Sequence, residues 1–76
     1  MKRYTIAGHS LFKGRVKLRF ANDLYRMKRL MNNGHEDIHL EQLPVPMTKL
    51  EICELFEGKP ELKDAIRRVR ALNTPR

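Results

Sequence analysis

Between Arg15 and Phe20 the chain alternates without a break, apolar Val16, Leu18 and Phe20 against basic Arg15, Lys17 and Arg19. A period of two belongs to a strand with one face in a core and the other in water, so this segment predicts a strand. Tyr4–Ala7 is a shorter candidate ahead of it, and the Gly8–Gly14 connection reads as a moderately long hairpin loop that makes the two antiparallel. The period then changes. Leu24, Met27, Leu30 and Met31 recur at helical spacing between Asn22, a capping side chain, and the stop Asn32-Asn33-Gly34, which predicts a helix from Asp23 to Gly34. Ile38–Leu43 alternates again and predicts a third strand, ended by Pro44-Val45-Pro46. Strand, helix, strand in that order implies a right-handed crossover between parallel strands.

Thr48-Lys49-Leu50-Glu51 has the spacing of a capping box, and Met47 stands where it can staple against Ile52. A helix from Lys49 to about Phe56 follows, stopped by Gly58. Pro60 then opens a final helix in which Leu62, Ala65, Ile66, Val69 and Leu72 repeat at helical spacing, and Asn73–Arg76 reads as a frayed tail. No repeat, low-complexity segment or long Gly/Ser linker divides the chain, so residues 1–76 are expected to form one domain. The predicted fold is α+β in the order ββαβαα, a three-stranded mixed sheet covered mainly on one face by helices. A chain of 76 residues buries only about 60% of the surface its unfolded form exposes, so the core is thin and self-association into a homo-oligomer would support it.

Charge changes this picture more than composition does. Residues 1–33 carry nine cations and Asp23, a net +8; residues 34–58 carry six acids and Lys49, a net −5; residues 59–76 return to +4, for +7 in all. A surface with that polarity either pairs its regions internally or presents a dipole to partners. No apolar run approaches the roughly 20 residues of a membrane span. The lone Cys53 has no internal disulfide partner and nothing of signal-peptide type follows Met1-Lys2-Arg3-Tyr4, so a reducing cytoplasm is the expected location.

Arg15, Lys17 and Arg19 on one strand face, with Arg26, Lys28 and Arg29 on the helix that follows, make a surface suited to a phosphate backbone. The plain alternative is a solvated strand face that resists edge pairing, with Glu41 on the neighbouring strand neutralising part of it. Phe12 and Tyr25 are the aromatic residues free to stack on bases. The last two helices, joined through Glu57-Gly58-Lys59, resemble a helix-turn-helix pair, the segment Thr48–Phe56 being similar to its first helix in cap and apolar spacing. The turn glycine falls one position later than in that motif, and Lys63 takes a point where it has an apolar residue. The resemblance implies Lys63, Arg67 and Arg70 in the major groove.

Other chemistry is poorly supplied. His9, His35, His39 and Cys53 are the soft metal ligands, and His35 and His39 flank or occupy a strand, where four residues span about 13 Å, so no metal site and no cofactor are expected. Cys53 lies on the apolar side of its helix with Ile52 and Phe56 and reads as a buried hydrophobe. Gly8-His9-Ser10 reads as loop, its His and Ser pointing apart. Met27, Met31 and Met47 read as core filling, although an apolar strip left open by so thin a sheet would be a docking site. Paired carboxylates and a phosphate loop are missing, so an enzyme is not expected. The leading expectation is a small accessory protein that binds nucleic acid with little sequence preference. The competing one is an adaptor or inhibitor that docks its basic face on an acidic protein.

Overall fold

A computed structural model describes residues 1–74. Strands β1 (Tyr4–Phe12) and β2 (Arg15–Ala21) form a hairpin, helix α1 (Leu24–Leu30) leads to β3 (His35–Met47), and α2 (Lys49–Leu55) is followed by a 3-10 turn, Pro60–Leu62, that runs into α3 (Lys63–Asn73). The sheet order is β2-β1-β3 and both ladders are antiparallel, so the sheet is antiparallel throughout where a mixed one was expected. The crossover through α1 does connect two strands of like direction. β1 lies between them, because it runs on to Phe12 and offers a full second edge to β3.

That extension also replaces the expected Gly8–Gly14 loop. Phe12 pairs with Arg15, leaving Lys13-Gly14 as a two-residue turn with φ of 53° and 75°. Positive φ at both central positions is the type I′ geometry whose twist matches the strands it joins. The third strand is longer than expected as well, continuing through both prolines. β3 is an edge strand, and between the pairs Ile6–Gln42 and Tyr4–Met47 the ladder shifts register, so residues 43–46 bulge out of it and the missing proline N–H groups leave no gap.

Paired residues share a face and successive residues alternate, so Ala7, opposite Phe20, and Ile6, opposite Ala21, face opposite ways. The larger core lies on the Ala7 side, where Leu18 and Leu43 meet Ile52, Cys53 and Phe56 of the α2 segment and Leu62, Ala65 and Ile66 of the α3 segment. A smaller cluster of Ala21, Met27 and Met31, with Ile6 against it, holds α1 to the other face. Gly8 permits that approach, since a Cβ there would stand 2.8 Å from Met31 Cε and Leu40 Cδ2.

The helix starts follow their caps. Asp23, rather than Asn22, caps α1, its carboxylate accepting from Arg26 N at 2.7 Å, while the Asn22 amide donates to the Arg3 carbonyl. The helix ends at Met31, ahead of Gly34 at φ 79°. Thr48 and Glu51 form the expected capping box, Thr48 N donating to Glu51 Oε1 at 2.8 Å and Glu51 N to Thr48 Oγ1 at 3.2 Å. The Thr48 backbone N–H holds the Glu51 carboxyl below its ordinary range. At the other end α3 keeps Asn73 helical, one residue into the expected tail, with Thr74 as its cap. Pro75 and Arg76 lie outside the described residues.

Candidate functional site

Strand alternation puts Arg15, Lys17 and Arg19 on the same face as Ala21, which is the face α1 covers. The helix covers only part of it. Arg15 is exposed, and Lys17 and Arg19 are half-buried beside the helix. On the outer side of α1, Arg26 and Arg29 line a shallow depression with Tyr25, Leu30 and Asp23. Leu30 also borders Arg19 and Phe20 in a second groove, so the Leu30 flank of α1 is the one next to β2. Arg26, four residues before Leu30, shares that flank. Lys28 is two residues from each and roughly 160° round the helix from Arg26, on the flank away from β2. The fold therefore brings Arg19, Arg26 and Arg29 around Leu30, continues the same face along β2 through Lys17 to Arg15, and leaves Lys28 on the other flank.

No carboxylate pairs with any of these six among the described residues; the ion pairs present join Arg3 to Glu51, His39 to Asp37, Arg67 to Asp64 and Arg70 to Glu57. Glu41, expected to neutralise the basic strand, sits on β3 opposite Ala7. It is separated from β2 by β1 and points to the other face, so it cannot reach Lys17 or Arg19.

On α3, Lys63, Arg67 and Arg70 border a cleft with Lys59 and Glu57. Two of the three carry ion pairs, Arg67 with Asp64 at 3.8 Å and Arg70 with Glu57 at 3.6 Å. Residues 56–62 separate α2 from α3, longer than the turn of about three to four residues in a helix-turn-helix. The opposite side of α3 packs on the sheet, and Arg68 Nη2 donates to the Val16 carbonyl at 2.6 Å. That bond ties α3 to the open edge of β2. Arg68 escaped notice in the sequence, although it stands one turn from both Ala65 and Leu72 and so borders the apolar stripe.

The Gly8-His9-Ser10 segment is strand, and its side chains do point to opposite faces. His9 lies opposite His39 on the β1–β3 ladder, with the rings stacked at 4.8 Å between centroids. His39 Nε2 is 3.0 Å from Asp37 Oδ1, and Lys59 and Glu61 border the same cleft. Asp37 is held at φ 51° where the ladder slips between His9 and Leu11. Burial pushes the His9 pKa below its ordinary value, and the neighbouring His39 and Lys59 reinforce the shift. On the opposite face Ser10, 2% exposed, shares a 2.6 Å hydrogen bond with His35 Nδ1, and the Phe12 ring stacks on His35 at 4.6 Å. Phe12 is thus occupied, against the expectation that it is free to stack on bases. His35 and His39 face opposite sides of β3, and no group of three metal-ligating side chains converges among the described residues. These pairings arise from strand register, which residue spacing does not reveal. Cys53 is buried, which raises its thiol pKa and makes the thiolate scarce.

Comparison with family models, with curated proteins and with solved structures returned no match for this chain. No helix among the described residues is long and apolar enough to cross a membrane.

Proposed function

We propose that the protein is a non-enzymatic accessory factor that binds nucleic acid, with little sequence preference, through the surface formed by β2 and α1. The observation that carries this reading is the set Arg15, Lys17, Arg19, Arg26 and Arg29, on one side of the molecule and free of ion pairs among the described residues, while Arg67 and Arg70 on α3 are partnered. Unpaired cations keep their full attraction for phosphate, and each phosphate they neutralise releases counterions. Acids collect elsewhere, Glu36, Asp37 and Glu41 all lying on β3 at the far edge of the sheet. Neither Ser10 nor Cys53 is accessible for nucleophilic chemistry, which supports a binding role.

A salt titration against a random-sequence duplex and a single strand tests the reading. Neutralising Arg15, Lys17 and Arg19 together should weaken binding to all sequences and flatten the dependence of log K on log salt, by about 0.9 on duplex for each phosphate the variant no longer neutralises. Neutralising Lys63, Arg67 and Arg70 should change little. Loss confined to preferred sequences in the α3 variant would favour helix-turn-helix recognition instead. Absence of binding to any nucleic acid at low salt would overturn the proposal and turn attention to an acidic protein partner.

A further inference from the structure

The chain has five aromatic residues, and four are engaged. Tyr4 and Phe20 pack with centroids 5.7 Å apart under the Lys49 ammonium, Phe12 lies on His35, and Phe56 is buried. Tyr25 has no ring partner among the described residues and is 72% exposed on the outer face of α1. One turn further along, the Arg29 guanidinium stands 5.9 Å from the Tyr25 ring centroid. Arg26 and the exposed Leu30 complete the rim of the depression in front of the ring, with Asp23 the single acid there, its carboxylate already accepting from Arg26 N.

An exposed ring set among unpaired guanidinium groups has a specific chemical complement. A base offers a π-face of matching size, and its flanking phosphates offer charge to Arg26 and Arg29. In a duplex those faces are hidden in the stack, so the ring meets them only on an unpaired strand. We infer that the α1 surface is a single-strand subsite, Tyr25 forming the platform for one unpaired base, Arg26 and Arg29 holding the adjoining phosphates, and the β2 cations continuing the track. The inference rests on the nucleic-acid reading above and adds strandedness to it. Deoxyribose and ribose strands present the same faces and phosphates, so the subsite accepts both.

The test is fluorescence anisotropy with oligo-dT and oligo-rU of roughly 15 nucleotides, within the site size of small single-strand binders, and with a duplex of equal length. Tyr25→Ala should weaken binding to both oligomers by roughly 5- to 100-fold, leave the duplex within about twofold, and keep the salt slope unchanged, because stacking carries no counterion term. Tyr25→Phe should retain wild-type affinity, the ring being what matters. Circular dichroism should be the same for all three proteins, as the side chain is exposed. If Tyr25→Ala binds single strands as the wild type does while the Arg15, Lys17 and Arg19 neutralisation abolishes binding, the stacking subsite is wrong and the basic surface stands. If the wild type binds the duplex but neither oligomer at low salt, the subsite alone falls; if it binds none of the three, both fall together.

Discussion

Two glycines in the first hairpin do different work, and substitution separates them. At Gly14, with φ 75° and open space where a Cβ would stand, alanine meets only backbone strain. Gly14→Ala should therefore lower stability by about 1 kcal/mol through conformation alone. Gly8 has room in its backbone but not above it, since its Cβ would meet Met31 Cε and Leu40 Cδ2 at 2.8 Å and Met27 Sδ at 3.2 Å. Those are ends of flexible side chains, so Gly8→Ala should cost about 1 to 2 kcal/mol by pushing α1 off the sheet. Met31→Ala empties a buried site and costs stability by itself, so the clash shows in the coupling: with Gly8→Ala the combined loss should be smaller than the sum of the two single losses, and with Gly14→Ala the losses should add. Denaturant midpoints of the three variants and the double mutants check this, and equal coupling of Met31→Ala to both glycine variants would refute the distinction.

At the level of elements, β2 carries both the core and the basic surface, on opposite faces of seven residues. Lys17→Glu with Arg19→Glu should leave the fold intact, because both side chains reach solvent and neither has a hydrogen-bond or ion-pair partner to lose among the described residues. Phe20→Glu should unfold the protein or nearly so, placing a carboxylate against Tyr4 and the larger core. Circular dichroism showing the double variant unfolded and Phe20→Glu folded would reverse the faces. This much of the fold was legible because β2 alternates cleanly and because the Thr48–Glu51 box and Pro60 declare their helices locally. The extent of β1 was not. Gly8, His9 and Ser10 have turn-like composition, and only the arrival of α1 over Gly8 and of His35 beside Ser10 makes a strand of them. The prolines misled for a related reason, since a central strand excludes them and an edge strand with a bulge does not. Of the basic residues, the strand triplet was readable from the period of two. The separation of Lys28 from Arg26 and Arg29 depended on which flank of α1 turns toward β2.

For the molecule as a whole, the two sheet edges differ in charge, and pH acts on them unequally. β2 and α1 carry only Lys and Arg as their basic groups, whereas the other edge carries His9 and His39 in contact across β1 and β3, with Asp37 on β3 and Lys59 and Glu61 in the cleft they share. Burial is the main cause lowering the His9 pKa from 6.5, with His39 and Lys59 adding to it and the two carboxylates opposing it. A lowered pKa means that the unfolded chain takes up the proton more readily than the folded one. The stability held by neutral His9 is therefore full above about pH 6.5 and is lost as pH falls from there through the depressed folded value. His9→Phe keeps a ring against His39 and removes the titration, so its denaturant midpoint should fall less than that of the wild type between pH 7 and pH 5. Carboxylates common to both proteins cancel in the difference. Parallel midpoint curves would show that His9 is not the group through which acid loosens the β1–β3 ladder, while convergence with His39→Phe under the same protocol would assign the effect to the stacked pair as a unit.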